Sequence, residues 1–456
     1  MSIKISKKLL STVFPYLLII LLCSLVRLLY WYHAPGVIIS EDTYSYYQVG
    51  QNMFAQHLFF DHYRAPVYSL FLVSLVTILG APDATILSGP FFEKIIYVIP
   101  IQMAIGITGL LIFYHTLRLL KIKPLVSLLF TLFIGTNIII FSWERLLLTE
   151  SFATFFLILL FYLSVKIFQK PKLIFFLLFF LLSVASVMLR PFNVGLPIIP
   201  LLVAVLYHRK LRIVIYAGIV LLLYAGVIHI YSLANYNRWG FYGISRASDI
   251  NMLGKILEYR LSVSAGIKEK FIHDLVVDYQ SEARDPHPFR FLEYYNRLHD
   301  ADIPKLIPLK IFSYQVIGAN LPEYLAKSTV LLPRALLDVS EKLVIMSPNL
   351  NLISLMFNLN LTVVRYAQIV FFLIFIFSFV SFIQFLKSRT LLYAVLILAS
   401  LTSLYQIIFS VFIGHAEYGR LIVPVQPIMY FFSFYWLKKI LEWGNKILRK
   451  CILRFN

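Results

Sequence analysis

The feature that most constrains this chain is a series of long stretches containing no Asp, Glu, Lys or Arg. They cover residues 95–117, 125–143, 173–189, 191–207, 213–237, 366–386, 390–414 and 421–437. A helix needs about 20 apolar residues to cross roughly 30 Å of hydrocarbon, and only a helix or a closed barrel satisfies its backbone polar groups there. Residues 9–32, interrupted by Arg27 alone, and the shorter 151–165 bring the expected number of spans to ten. Composition agrees, with 60% hydrophobic and 14% charged residues, where a soluble domain carries about 25% charged residues. A soluble multidomain protein is therefore excluded. Disorder is excluded as well, because 40 Phe and 29 Tyr supply more apolar surface than an unfolded chain carries. Cys23 and Cys451 cannot build a disulfide scaffold, and no CxxC or Cys/His spacing suggests a zinc site. The expected fold class is an all-α polytopic membrane protein.

Orientation follows from the basic residues, which short cytoplasmic loops retain. Alternating the ten spans puts on one side Lys4, Lys7 and Lys8, the loops Arg118/Lys121/Lys123, Lys166/Lys170/Lys172, Arg209/Lys210/Arg212 and Lys387/Arg389, and a tail from Lys438 to Arg454. That side holds 20 basic residues against one acid, Glu442, so the formal charge of +19 lies on a single face. The basicity reads as topology and attraction to anionic membrane lipids, not as nucleic-acid binding. Both termini are expected in the cytoplasm. No small-residue cleavage site follows 9–32, so it reads as a retained first helix. The uncharged run 65–79 would invert every later loop if it crossed; it is read instead as a juxtamembrane or re-entrant helix on the outer side.

Three regions are expected: residues 1–235 as a transmembrane module with a long first outer loop (31–94), 236–365 as an outer loop region, and 366–456 as C-terminal transmembrane helices with a basic tail. The second region begins with turn chemistry and mixed charge, which suggests a small helical cap. From 306 to 361 it becomes apolar, punctuated by Pro308, Pro322, Pro333 and Pro348, as helices lying on a bilayer surface would be. The tail places Ile440, Trp443 and Ile447 on one side among Lys and Arg, an interfacial pattern.

Ionisable groups at a membrane boundary are costly and so are functional candidates. The first set follows the first span: Glu41 and Asp42, with Tyr47, then Asp61-His62-Tyr63-Arg64-Ala65-Pro66. One carboxylate within reach of an acceptor hydroxyl supplies a general base; an ordinary acidic helix start explains the pair equally well. The second set is Trp143-Glu144-Arg145-Leu146-Leu147-Leu148-Thr149-Glu150-Ser151, with Arg145 and Glu150 as its candidates. Arg190-Pro191 forms an outer turn, and Gly414-His415-Ala416-Glu417-Tyr418-Gly419-Arg420 precedes the last span. Arg64, Arg145, Arg190 and Arg420 all fall at the outer boundary and suit a lipid phosphate headgroup; snorkelling is the alternative explanation. His273/Asp274/Asp278, Asp285/His287 and His299/Asp300/Asp302 have no ligand spacing of a known metal site. No GxGxxG, Walker A or GxSxG sequence is present.

Five elements occur in order on the expected outer face: the acidic Glu41-Asp42 with its following tyrosines, Arg64-Ala65-Pro66-Val67-Tyr68, Leu148-Thr149-Glu150-Ser151, Arg190-Pro191, and Arg420-Leu421-Ile422-Val423-Pro424-Val425-Gln426-Pro427. This order resembles the bacterial GT-C glycosyltransferases. More narrowly, it is similar to the dolichyl-phosphate-mannose protein mannosyltransferase and aminoarabinose transferase group, the glycosyltransferase family 39-like enzymes. The resemblance covers nearly the whole chain and is weakest over 236–365. It implies a GT-C-like bundle of about ten transmembrane helices, with juxtamembrane helices in the first outer loop and a small outer helical cap. It also implies transfer of a sugar from a polyprenyl-phosphate donor to an envelope acceptor (lipid, glycan or protein) outside the cytoplasmic membrane. Asp42 matches the family's first-loop aspartate, the expected base, with Glu41 beside it as the other candidate. Arg64, Glu150, Arg190 and Arg420 match motif positions expected to contact phosphate or acceptor; Tyr47, Arg145, His415 and Glu417 join them as candidate substrate contacts. No cofactor is assigned, and a divalent metal is left open.

The chemistry suits these residues. A lipid phosphate is already a good leaving group, so a protein needs to align donor and acceptor, accept one proton and offset charge on the departing phosphate. Direct attack predicts inversion at the anomeric carbon. Two other readings compete: a transporter or flippase for an envelope lipid, and a glycan ligase or polymerase using a lipid-diphosphate donor. Transporters favour internal repeats and ionisable groups at the midplane, whereas here the spans are almost free of charge and no repeat is visible.

Overall fold

An apolar run in hydrocarbon can satisfy its N–H and C=O groups only within itself, and the computed structural model is overwhelmingly helical. The structure describes residues 7–282, 288–299, 308–338, 352–415 and 418–455. In chain order the helices are α1 (Lys7–His33), α2 (Glu41–Ala55), α3 (Pro66–Ile78), α4 (Gly89–Ile95), α5 (Val98–Leu119), α6 (Pro124–Gly135), α7 (Ile138–Phe141), α8 (Glu150–Gln169), α9 (Leu173–Leu189), α10 (Ile198–His208) and α11 (Leu211–Trp239). There follow α12 (Ala247–Tyr259), α13 (Lys270–Glu282), α14 (Pro288–His299), α15 (Leu309–Ala319), α16 (Leu321–Val330), α17 (Leu332–Leu337), α18 (Leu352–Ala367), α19 (Leu373–Ser388), α20 (Leu391–Phe412), α21 (Tyr418–Ile422) and α22 (Gln426–Phe455). The described residues form no strand; one isolated bridge pairs Ile38 with Leu146.

Seven stretches are long and apolar enough to cross a membrane: Val13–His33, Gly89–Leu119, Glu150–Gln169, Pro191–His208, Leu211–Trp239, Leu352–Ser388 and Leu391–Phe412. The pair Pro124–Gly135 and Ile138–Arg145, bent by 52°, makes an eighth when taken as one broken span. Ten were expected; the two further runs fall in helices outside this set. Helix α9 has 17 residues, about 26 Å at 1.5 Å per residue, at the lower end of the lengths that cross. The run 421–437 is not one helix, because α21 ends at Ile422 and a turn over Val423–Val425, containing Pro424, separates it from α22. Proline lacks the N–H that would continue the ladder. Helix α3, at 13 residues, is too short to cross, at about 20 Å.

One large apolar core is built mainly by α1, α5, α8, α20 and α22, with Tyr30, Phe113, Trp143, Phe168 and Tyr430 among its buried aromatics. A second core gathers Leu253, Ile256, Ile272, Val276, Phe291, Tyr295, Phe312 and Val316 from α12 to α15. Pro322 and Pro333 occupy the first turns of α16 and α17, where a missing N–H costs nothing. Pro348, Asp285, His287, Asp300 and Asp302 lie outside the described residues, as does the Ala416-Glu417 pair.

Arg27, the one charge in the first span, is buried against Glu144 at the end of the broken pair. Its Nε and Nη2 donate to the two Glu144 carboxylate oxygens at 2.7 and 2.8 Å, and Nη1 donates to the carbonyls of Gly135 and Cys23 at 2.8 and 3.2 Å. A Cβ on Gly106 would lie 2.2 Å from Glu144 Oε1, so only glycine there leaves space for the pair. Beyond this clamp, Gln102 Nε2 donates to the carbonyls of Glu144 and Leu146. Ile38 exchanges backbone hydrogen bonds with Arg145 and Leu147. The segment leading into α8 is thereby fixed to the loop leading into α2.

Candidate active site

Asp42 sits in the first turn of α2, where a carboxylate complements the helix dipole. The turn is pinned by Thr43, whose Oγ1 accepts from the Ser40 N–H at 3.0 Å and donates to the Leu147 carbonyl at 3.2 Å. Arg64 stands just before α3 and is presented by a turn in which Asp61 Oδ1 accepts from the N–H groups of Tyr63 and Arg64. Its guanidinium reaches back to α2, donating to Ser45 Oγ at 2.8 Å and Asp42 Oδ1 at 2.5 Å. The two helices approach closely at Gly50, where a Cβ would lie 2.4 Å from the Ser69 carbonyl oxygen. Loss of that glycine would separate the acid from its arginine.

The remaining charges arrive from the far ends of the sequence. Arg420 on α21 donates from Nη2 to Asp42 Oδ2 at 2.8 Å and from Nε to Glu150 Oε1 at 2.7 Å. Glu150, in the first turn of α8, is fully buried, and Arg190 Nη2 approaches the same Oε1 at 3.6 Å from the end of α9. Arg64, Asp42, Arg420, Glu150 and Arg190 therefore form one chain of alternating charge. Burial by itself raises the Asp42 carboxyl, but the Arg64 and Arg420 guanidiniums outweigh it and hold Asp42 well below the usual carboxylate range.

This chain forms the charged part of a cavity of about 440 Å³, within the range of small-molecule sites. Asp42, Arg64, Arg190, Arg420, His415 and Lys310 supply its ionisable lining; Phe192, Val194, Ile228, Phe241, Phe409 and Ile413 supply apolar walls. Such a space accommodates an anionic head with an apolar attachment.

Placement of the expected residues is uneven. Asp42, Arg64, Arg190, Arg420 and His415 line the cavity, and Glu150 supports it from beneath. Glu41 is exposed and does not line it. Tyr47 turns into the core, where its hydroxyl donates to the Ala84 carbonyl at 2.8 Å and its ring meets Phe91. Arg145 is also turned away, donating to the carbonyls of Gly36 and Pro35 with its guanidinium over the Tyr30 ring. Tyr46, overlooked in the sequence, takes the place expected of Tyr47: it lines the cavity with the Arg64 guanidinium 4.7 Å above its ring. The signal was available, since residue 46 is four after Asp42 and shares its helix face, while 47 does not. Lys310 and Glu258 were missed as well, while Tyr63, quoted with its neighbours but given no role, also lines the cavity. Glu417 lies outside the described residues.

Among the described residues no group of three or more His, Cys, Asp and Glu side chains could hold a metal ion. His273 Nδ1 lies 3.0 Å from Oδ1 of its neighbour Asp274. Compared with known proteins, the chain matches no protein-family model and no curated sequence.

Proposed function

We propose that this protein is a membrane glycosyltransferase, moving a sugar from a polyprenyl-phosphate donor to an envelope acceptor on the outer side of the cytoplasmic membrane. The observation that carries the reading is the convergence of Arg64, Arg190 and Arg420 on two carboxylates beside an apolar and aromatic cavity. Each guanidinium has five N–H donors in a planar fork, and Arg64 and Arg190 keep donors beyond those the carboxylates take. A phosphate bound there has its leaving oxygen beside positive charge, which is what the reaction needs as the sugar–oxygen bond breaks. The prenyl chain lies along the apolar wall. The acceptor hydroxyl attacks the anomeric carbon from the face opposite the phosphate, so the product is inverted. Asp42 holds Arg64 and Arg420 side by side; Glu150 does the same for Arg420 and Arg190. Charge alternation over the ten expected spans supports the outer side for the five-residue cluster, opposite the loops with 20 basic residues.

The test is mass spectrometry of envelope glycolipids and glycans from cells carrying wild-type protein, Asp42→Ala, or none. A single sugar increment present only with wild type is expected, with Asp42→Ala matching the strain that lacks the protein at equal protein level. An intact lipid precursor accumulating on the inner leaflet would point to transport, and consumption of lipid-diphosphate glycans alone would point to a ligase.

A further inference from the structure

Transfer of a sugar to a hydroxyl releases one proton, and Asp42 is poorly placed to receive it. Both of its oxygens accept from guanidiniums, Oδ1 from Arg64 at 2.5 Å and Oδ2 from Arg420 at 2.8 Å. A carboxylate stabilised by two cations is a weak base. Its geometry suits the ordering of arginines better than the taking of protons.

Another side chain on the cavity wall has the opposite character. His415 is the one imidazole among the described residues lining the cavity, and Asp42 is the one carboxylate. The ring is held from two directions by a single face of α12. Its Nδ1 lies 3.2 Å from Glu258 Oε2, while a Cβ on Gly254 would come within 2.6 Å of His415 Cγ. Residues 254 and 258 are one turn apart, so the gap that admits the ring and the carboxylate that faces it are stacked on the same stripe. Glu258 is itself fixed: Tyr418 Oη donates to its Oε2 at 3.3 Å, and buried Lys255 Nζ donates to Tyr418 Oη at 2.6 Å. A base within reach of substrate, with its second nitrogen against a carboxylate, is the arrangement by which enzymes orient an imidazole for proton transfer.

We propose that His415, oriented by Glu258, is the base that takes the proton from the acceptor hydroxyl. This rests on the sugar-transfer reading and names the group that acts within it. As the acceptor oxygen bonds to the anomeric carbon, the bond from that carbon to the phosphate oxygen breaks. Its electron pair leaves with the polyprenyl phosphate toward the arginines, and the hydroxyl proton goes to the imidazole. Glu258 is a positioning residue, offsetting the imidazolium that forms. The charged and titratable groups around the ring are Glu258 and Lys255 on α12, Tyr418 and Arg420 on α21, Lys310 on α15, and Asp42 with Arg64 and Arg190 across the cavity.

The experiment uses the full-length protein reconstituted with membranes from cells lacking it, which supply the acceptor. A panel of synthetic undecaprenyl-phosphate hexoses and pentoses serves as donor, and release of undecaprenyl phosphate is followed. His415→Gln is expected to lose at least about 100-fold in kcat, with KM for donor and affinity for undecaprenyl phosphate unchanged; the retained affinity shows that the variant is folded. Glu258→Gln is expected to lower kcat with KM unchanged, and Glu258→Asp to restore it. A His415→Gln protein with wild-type kcat overturns the proposal, as does one that loses kcat and donor affinity together. If wild-type protein releases no undecaprenyl phosphate from any donor, the sugar-transfer reading fails and takes this assignment with it. Activity independent of His415 removes the assignment alone.

Discussion

Replacing Arg27 with leucine tests how strongly the buried clamp holds the segment that carries the site. Arg27 and Glu144 side chains are 3% and 5% exposed and share two hydrogen bonds at 2.7 and 2.8 Å. Removing one partner of a buried pair leaves an uncompensated charge and costs about 3–5 kcal/mol. Cys23 reports the loss directly: its thiol is fully buried and would lie 2.5 Å from a Cβ on Gly135, beside the clamp. With Cys451→Ser as background, alkylation of Cys23 by a membrane-permeant maleimide follows the population of the opened state when reclosing is fast. At 1.36 kcal/mol per decade, Arg27→Leu should label roughly 100-fold to several thousand-fold faster. Glu144→Leu should behave alike, because it strands the guanidinium. The double variant has no buried charge and loses only the Arg27 bonds to two carbonyls, so it should return to within about 30-fold of wild type. Single variants labelling within threefold of wild type, or a double variant no slower than the worse single, would refute the argument.

Three further outcomes follow from other positions. Since Asp42 is held low by Arg64 and Arg420, the stability it adds is fully present above the unfolded carboxylate value of about 3.9 and is lost only as pH falls below it. The Tm difference between wild type and Asp42→Asn should therefore be constant from pH 5 to pH 8 and shrink only under stronger acid. Burial lowers Lys255 to about 8, partly opposed by Glu258, so the folded state binds fewer protons than the unfolded chain between that value and about 10.4. Stability should rise with pH across that window, by about 3 kcal/mol at most, and the rise should vanish in Lys255→Met; a flat wild-type Tm profile from pH 8 to pH 10 contradicts this. Gly50→Ala forces a Cβ to 2.4 Å from the Ser69 carbonyl and 2.6 Å from Val73 Cγ2, and should cost about 1–3 kcal/mol with loss of the proposed sugar transfer as α2 moves from α3. A Gly50→Ala protein with unchanged Tm and activity would show that the helices adjust freely.

The candidate residues that were readable in the sequence share one property: each is a charge at the end of an apolar run. Asp42, Arg64, Glu150, Arg190 and Arg420 stand out because burying a charge at such a boundary is costly, a cost visible in one dimension. Their pairing was not readable. Arg27 looked like an interruption in a span because its partner, Glu144, is 117 residues away. The choice of Tyr47 over Tyr46 ignored helix phase, and Arg145 was grouped with the other boundary arginines although backbone carbonyls satisfy it. Glu258 belongs to a polar stretch with nothing to distinguish it until α12 is placed against His415. The last expected span shows the same limit, because hydropathy averages across Pro424 while the backbone breaks there.

The charge chain also imposes an order on biosynthesis. Asp42 and Arg64 are separated by 22 residues, but Arg420 by 270 from Glu150. At about 5–20 residues per second, the ribosome needs roughly 15 to 55 seconds to deliver that interval. Arg64 can meet Asp42 once the first loop has been made, and Arg190 can meet Glu150 one hairpin later. Both carboxylates then wait for the arginine that joins them. A nascent chain halted before α21 is left with two separate half-sites. A chain that stops short of α21 therefore lacks the guanidinium that joins the two carboxylates.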